Sequence, residues 1–349
     1  MTAYIDHLNT FSEADWLAAV DQLRECVHEV DRVALQVWFR FYPLELKRYL
    51  DEADRDEAVR GLVLQGKFEI NAMIDTSHHF LYGHRYWKTV KAIIETKTET
   101  KKTDDGSLID LIKELGIEAA EKLHVARPLV NAISAVGLAT LNQVGYDAFK
   151  QSPGENAEPK GLMAKSPDAI VAGREKDDSQ GLFGFLKTVD KKYSVAFAGI
   201  DFSGKFPVMN DQLLTHASEK DRHEQWQTMD DRCWEGPIPV ECTAASCGTC
   251  WIGVLGGREK LNEVARRERR AMKVFGYNQP EDEKPFLRLA CQTKAYGNVS
   301  IVIPPWNGVF GKKVRGNVEE LELEPATTSA KALREVVGNL SEPPAVAGG

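Results

Sequence analysis

The first part of the chain carries apolar residues at the spacing of helices that face a core. Between Ser12 and Lys67 the clearest of these positions are Val30, Val33, Ala34, Val37, Trp38 and Phe41. Residues at this spacing share one face of an α-helix. Pro43 interrupts the pattern, because proline cannot donate the backbone hydrogen bond that a continuing helix needs. The pattern therefore predicts an amphipathic helix that ends near Pro43.

More helices are predicted after it. A second helical stretch covers Ile70–Glu95, and the polar, charged residues 95–106 are typical of a solvated loop. Ser107 is suited to cap a helix that runs through Leu115 and ends at Gly116. The segment Pro128–Phe149 is apolar around most of its circumference, which predicts a central, buried helix of a bundle.

Residues 151–181 are rich in Pro, Gly, Ser and charged residues, as linkers are. We place the linker at 151–189, between an all-α helical domain at 1–150 and a second domain at 190–306. The C-terminal extension, 307–349, contains few large apolar residues and is predicted to be largely disordered, with a short helix near Lys331–Val337.

Strand patterns begin only near residue 190. Tyr193–Ala198 and Phe206–Met209 are predicted strands that flank a hairpin turn at 199–205, and Asp211 is predicted to open a short helix. Asn298–Ile303 is another strand, stopped by two prolines. The expected fold class is α+β, with an N-terminal all-α helical bundle followed by a C-terminal sheet domain.

Charge and composition exclude some classes of function. The chain has 349 residues, enough for two domains, and a formal net charge of -8. Nucleic acid is not an expected partner, because proteins that bind it usually present a strongly basic face. The chain has no export signal and no run of about 20 apolar residues, so we expect a soluble, cytoplasmic protein without a membrane span.

The most specific signal is a cysteine pattern. Four of the six cysteines are Cys242, Cys247, Cys250 and Cys291, in the spacing Cys-x4-Cys-x2-Cys followed by a distant fourth. This is the spacing of plant-type [2Fe-2S] centres, in which four thiolates hold the irons. The residues between the first three are small, and Gly248 suits a tight loop that aims N–H groups at sulfurs. Cys26 and Cys233 fall outside the pattern and are predicted to be small buried residues.

Around these cysteines the chain resembles the plant and bacterial type [2Fe-2S] ferredoxin family. The similarity is carried by IPVECTAASCGTC at 238–250, LACQT at 289–293 and NVSIVIPP at 298–305, and it covers about residues 190–306. It implies a β-grasp fold and a [2Fe-2S] cluster, with Cys242 and Cys247 on one iron and Cys250 and Cys291 on the other.

Two features depart from the common members of that family. The stretch from Cys250 to Cys291 is longer, and residues 223–242 form an insertion before the first cysteine. A predicted helix at Arg258–Lys273 has a surplus of basic residues, whereas carriers of this family usually dock through acidic patches. The usual ferredoxin partners are therefore not assumed for this chain.

A four-cysteine zinc site is the main alternative for the cysteines, but zinc modules usually combine two close Cys-x2-Cys pairs and this chain has one. A Rieske centre needs two histidine ligands, and no histidine lies between Cys242 and Cys291. No Gly-x-Gly-x-x-Gly follows a predicted strand, so a nucleotide-binding reductase is not indicated.

The histidines offer a weaker second pattern. Three acid-x-x-His pairs, Glu25 with His28, Asp75 with His78 and Glu121 with His124, fall on different predicted helices. Di-iron carboxylate bundles use Glu-x-x-His on two helices. The alternative interpretation of these histidines is that they are ordinary residues of helix faces or interfaces.

The sequence therefore predicts one-electron transfer through a [2Fe-2S] cluster. We expect a non-catalytic electron-carrier subunit, with no catalytic residues of its own, that docks onto a larger oxidoreductase complex and exchanges electrons with redox protein partners. The alternative is an oxidoreductase whose helical domain binds its own metal or cofactor and receives electrons from the ferredoxin domain.

Overall fold

A computed structural model describes residues 3–100, 106–156, 158–159, 161–175, 191–200, 202–276 and 284–315. The part before residue 176 is mainly helical. Its helices are α1 Ala3–Leu8, α2 Glu13–Gln22, α3 Glu29–Phe41, α4 Leu44–Glu52, α5 Arg55–Gly61, α6 Trp87–Thr100, α7 Leu108–Leu123, α8 Pro128–Val144, α9 Tyr146–Gln151 and α10 Pro167–Glu175.

The later part combines strands with short helices. Its strands are β2 Lys192–Ala198, β3 Ser203–Met209, β4 Gln212–Leu213, β5 Trp251–Gly256, β6 Leu287–Leu289, β7 Lys294–Ala295, β8 Val299–Val302 and β9 Trp306–Asn307; β1, Gln65–Gly66, lies in the helical part. Its helices are α11 Leu214–Ser218, α12 Trp226–Met229, α13 Arg266–Phe275 and α14 Gly311–Arg315.

Five of these strands form one mixed sheet in the order β3-β2-β8-β5-β6. β2 is antiparallel to β3 and parallel to β8, while β5 is antiparallel to both β8 and β6. A mixed sheet of this kind agrees with the β-grasp fold that the resemblance implied. The predicted α+β class, helical first and sheet-containing afterwards, is confirmed.

The clearest helix prediction is also confirmed. α3 spans Glu29–Phe41, and the side chain of His28 caps it by accepting a hydrogen bond from the Val30 N–H. Of the six apolar positions in the sequence pattern, only Val33 is less than fully buried. The apolar stripe thus faces the core.

Two helix predictions were wrong, for reasons that involve the tertiary structure. Within the predicted stretch Ile70–Glu95, short 3-10 turns precede α6, because the buried Asp31 carboxylate accepts the N–H groups of Tyr82 and Gly83. α7 does not end at Gly116. A β-carbon at that glycine would lie 2.1 Å from the Asn131 side-chain oxygen, so glycine there permits close packing of α8.

Two boundaries in the second part also differ from the predictions. The helix predicted to open at Asp211 begins at Leu214, because Asp211 has a φ of 64° and lies in a turn. The helix predicted at Arg258–Lys273 is a 3-10 turn at Arg258–Lys260, then irregular chain, then α13 from Arg266. The hairpin of β2 and β3 is where the sequence predicted it.

Parts of the predicted linker and extension are folded against the rest. In α10 the side chain of Ile170 is fully buried, and Arg174 donates a hydrogen bond of 2.6 Å to the Val30 carbonyl. In α14, Arg315 forms an ion pair of 2.6 Å with Glu13. The tail helix predicted at Lys331–Val337 lies outside the described residues, and the division into separate domains stays a prediction.

The helical part and the sheet share one hydrophobic core. The Phe41 ring of α3 lies 5.4 Å from the Trp251 ring of β5, which lies 4.9 Å from the Trp306 ring of β9. The Trp306 indole donates to the Phe41 carbonyl, and β1 pairs with β9 across the same boundary. The sheet is therefore fixed against the helices by direct packing.

A pair of histidines is buried inside the helical part. His78 and His84 are 0% and 5% exposed, and their Nδ1 atoms lie 2.8 Å apart, so one ring donates and the other accepts. Burial lowers the pKa of both rings below the usual range, that of His84 to about 3. Both are neutral at pH 7, because charging either would place a cation in the core.

The close approach of α3 to β5 predicts the effect of adding one methyl group at Gly253. A β-carbon there would lie 2.5 Å from Val37 Cγ1 and 2.8 Å from Val302 Cγ1. Gly253→Ala should therefore lower the free energy of unfolding by about 1–3 kcal/mol, as overpacking does. Urea unfolding measures this change.

Gly61→Ala is the control, because its new methyl group meets only the flexible end of Lys313 and the site is exposed. Equal losses of unfolding free energy in the two variants would contradict the account.

The buried histidines predict a loss of stability in acid. Since the pKa of folded His84 lies below the unfolded value, its contribution to stability is present above about pH 6.5 and is lost as the pH falls toward 3. Lowering the pH from 7 to 5 should reduce the free energy of unfolding by about 1–2 kcal/mol through His84. His84→Gln should lose this part of the pH dependence, whereas the exposed His124→Gln should retain it. Denaturant unfolding at each pH tests this, and an unchanged slope in His84→Gln would refute it.

Candidate metal centre

The sheet brings the four predicted cysteines together. Cys250 immediately precedes β5, and Cys291 lies in a 3-10 turn that immediately follows β6. Because Trp251 pairs with Leu289 in the antiparallel ladder, Cys250 and Cys291 lie at the same end of these two strands. The loop that carries Cys242 and Cys247 leads into the same place.

The four thiols lie as two neighbouring pairs. One pair is Cys242 with Cys247, and the other is Cys250 with Cys291. Cys242, Cys250 and Cys291 are 1–2% exposed, while Cys247 is half-buried. Cys247 is the most exposed residue of the four and therefore marks the side of the centre that is closest to the surface.

Within each pair the two thiols differ in acidity. The hydrogen bond from Cys247 lowers the pKa of Cys242 to about 5, and the hydrogen bond from Cys250 likewise lowers the pKa of Cys291. The same hydrogen bonds raise the pKa values of Cys247 and Cys250. Each pair thus favours loss of its first proton, and thiolate is the form that binds metals.

The chain aims hydrogen-bond donors at all four sulfurs. Backbone N–H groups of Ala244 and Ser246 approach Cys242, that of Thr249 approaches Cys247, and that of Ala245 approaches Cys291. The Cys291 N–H lies 3.4 Å from the Cys250 sulfur. Such donors stabilise negative charge on sulfur in a buried site.

Side chains add two more donors that sequence reasoning did not single out. The Ser246 hydroxyl lies 3.5 Å from the Cys242 sulfur, and the Gln292 amide lies 3.6 Å from the Cys291 sulfur. The only available signal was that each is a polar residue close to a cysteine in the sequence.

Two residues give the loop its tight path. Gly248 has a φ of 72°, and a β-carbon there would lie 3.2 Å from the Gly308 carbonyl oxygen. The prediction that this position needs glycine is therefore consistent with the geometry. Ala245 also has a left-handed φ, 57°, which is unfavourable for alanine. This conformation lets its N–H reach Cys291, on the other side of the centre.

A buried ion pair fixes the strand that carries the fourth cysteine. Arg288 Nε and Nη2 lie 2.8 Å and 2.9 Å from the two carboxylate oxygens of Glu268 in α13. The same carboxylate accepts the Leu289 N–H at 2.9 Å. This two-pronged contact holds β6, and with it the turn at Cys291, against α13.

The loop is also tied to the helical part of the chain. The Glu241 carboxylate accepts hydrogen bonds from the Thr249 hydroxyl at 3.3 Å and from the Gln65 amide at 3.0 Å. Gln65 belongs to β1, so the Glu241 side chain connects the cysteine loop to the helical part of the chain.

The chemistry of these donors fits a [2Fe-2S] cluster. Four soft thiol ligands are present, they are arranged as two pairs, and backbone N–H groups surround them. A single tetrahedral zinc ion instead needs all four sulfurs around one point. Within the described residues, no group of three or more His, Cys, Asp or Glu side chains is arranged to hold one metal ion.

The other two cysteines lie elsewhere. Cys233 is 1% exposed and donates to the Pro237 carbonyl, while Cys26 is partly buried against the core. Burial raises the pKa of the Cys233 thiol. None of the six cysteines forms a disulfide.

The three acid-x-x-His pairs are not assembled into a common site. His28 caps α3 and faces Asp168 at 3.4 Å, and His78 bonds to His84. His124 ends α7 in a left-handed conformation, and Asp75 accepts from the Trp87 indole. Each histidine thus has its own neighbours and a structural role.

Comparison with known families identifies the part of the chain around the cysteines. Residues 216–296 match the family described as the 2Fe-2S iron-sulfur cluster binding domain. A comparison with curated proteins found no match, and neither did a comparison with solved structures. In the described part of the chain, no helix is long and apolar enough to cross a membrane. The segment 216–296 is therefore a [2Fe-2S] ferredoxin-type domain, and its function is electron transfer.

Proposed function

We propose that Cys242, Cys247, Cys250 and Cys291 ligate the [2Fe-2S] cluster, with the first two on one iron and the last two on the other. The observation that carries this proposal is that Cys250 and Cys291 meet at one end of β5 and β6, with the Cys291 N–H 3.4 Å from the Cys250 sulfur, while the loop of Cys242 and Cys247 leads to the same place inside the matched segment. When bound, such a cluster accepts and releases one electron at a time. All other cysteines of the chain lie outside this group.

The surrounding residues control the charge on the sulfurs. The donors around the sulfurs would stabilise the more negative, reduced state of a bound cluster, and the buried surroundings would keep water away. Because Cys247 is the least buried of the four, the shortest path for an electron leaves the site on its side. A redox partner would therefore dock over the loop at residues 246–249.

We further propose that the chain works as an electron-carrier subunit in a larger oxidoreductase complex. The helical part adds about half of the chain to a domain that transfers electrons without it in simple ferredoxins. It packs directly on the sheet through Phe41, Trp251 and Trp306, so it can hold the cysteine loop at a fixed position relative to a partner. Holding the cysteine loop next to a partner in this way raises the effective concentration of the cluster at that partner.

Cysteine variants test the ligand assignment. Cys242→Ala and Cys291→Ala should each reduce iron and acid-labile sulfide from about two of each per chain to nearly none, because one iron loses a thiolate ligand. Cys26→Ala and Cys233→Ala are matched controls and should keep the full content. Retention of the cluster in both ligand variants would refute the assignment.

Isolation of the native protein tests the docking proposal. An extract of cells that make this chain is fractionated by gel filtration at low salt. The chain should elute at a size well above that of one subunit. The same fractions should contain an oxidoreductase that reduces or oxidises the cluster. Elution as a single chain that already exchanges electrons with its reductase at full rate would contradict the proposal.

A further inference from the structure

A cleft of about 600 Å³ lies where the helical part meets one edge of the sheet. It is separate from the cysteine loop, since none of the four cysteines lines it. The volume falls within the range of about 300–1,000 Å³ that is usual for small-molecule sites, and such sites favour boundaries of this kind.

The two walls of the cleft differ in chemistry. The wall from the sheet side is apolar and includes Phe202, Trp226, Met229 and Leu255. The Phe202 and Trp226 rings lie 5.9 Å apart, and the Phe197 ring packs against both, at 6.3 Å and 5.5 Å. An aromatic wall that is already packed in place suits a flat, apolar ring.

The opposite wall carries the polar groups. The Arg85 guanidinium lies 3.5 Å from the Tyr82 ring centre and donates to the Tyr82 and Met163 carbonyls at 3.1 and 2.6 Å. These contacts hold the cation in place within the lining. Among the described residues, no carboxylate forms an ion pair with it. An oxygen acceptor on a ligand would therefore meet a positioned donor.

A histidine stands at the junction of the two walls. His79 Nδ1 lies 3.1 Å from the Ile200 carbonyl oxygen, which can only accept, so Nδ1 carries the proton. His84 lines the same wall, and its ring centre lies 4.3 Å from that of His79. The polar wall thus offers imidazole and guanidinium groups to the heteroatoms of a ring.

Two acidic residues of the lining narrow the class of ligand. Glu158 and Glu224 are exposed and belong to the lining. Their carboxylates repel phosphate groups, which disfavours nucleotides and phosphorylated flavins. A neutral ring with carbonyl oxygens avoids this repulsion and still accepts hydrogen bonds from Arg85.

We infer that this cleft binds a neutral aromatic carbonyl compound of the quinone class, with its ring against Phe202 and Trp226 and an oxygen toward Arg85. The inference rests in part on the proposed function, because a quinone takes up electrons singly and so suits a one-electron carrier. The binding itself depends only on the cleft.

Calorimetric titration of the full, cluster-loaded chain with menadione tests this inference. Menadione should bind with a stoichiometry near one, and 2-methylnaphthalene, which has the same ring system without carbonyls, should bind at least about tenfold more weakly. Equal binding of the two compounds would overturn the assignment to the quinone class, and absence of menadione binding would overturn the site.

Two strand variants locate the site. Ser203→Phe adds a ring to an exposed position of the cleft lining and should weaken menadione binding at least about tenfold by filling the space. Lys205→Phe is the matched control, because it adds the same ring two residues along the same face of β3, outside the lining. Binding that Ser203→Phe leaves unchanged would refute the location. Iron and sulfide content, measured on each sample, separates a failure of this inference from a failure of the proposed function.

Discussion

Holding four sulfur atoms close together in a nearly dry site costs free energy, and the rest of the structure depends on how that cost is offset. Negative charge on buried sulfur is unfavourable unless donors compensate it. The loop supplies backbone N–H groups to three of the sulfurs, the Cys291 N–H serves the Cys250 sulfur, and Ala245 adopts a left-handed backbone to reach Cys291 on the far side. Three of the four sulfurs are thereby nearly sealed from solvent, and Cys247 is left as the more open edge.

This loop is precise because it is anchored to rigid elements on both sides. The bidentate contact of Glu268 with Arg288 holds the fourth cysteine's strand, and Glu241 ties the loop to Gln65 of the helical part. Behind the loop, α3 approaches β5 over Gly253 so closely that a methyl group would not fit without movement. The helical part is therefore a structural support of the sheet and also one wall of the cleft next to it.

The sequence predicted the features that depend on local rules. The stripe on α3, the hairpin of β2 and β3 and the cysteine spacing all follow from periodicity or ligand chemistry. The failures have tertiary causes. Gly116 looked like a helix end but serves the packing of Asn131, and the segment after Ile70 is held in 3-10 turns by the distant Asp31. The sulfur donors Ser246 and Gln292, and the cleft, arise only when distant segments meet, so spacing along the chain could not reveal them.

The central claim is that this chain carries one electron on a four-cysteine [2Fe-2S] centre. The most direct measurement is the metal and acid-labile sulfide content of anaerobically purified full-length protein, together with EPR spectra before and after dithionite reduction. The account predicts about two irons and two sulfides per chain and an EPR signal from a single unpaired electron that appears only on reduction. Zinc without sulfide, or a centre that dithionite does not reduce, would contradict it.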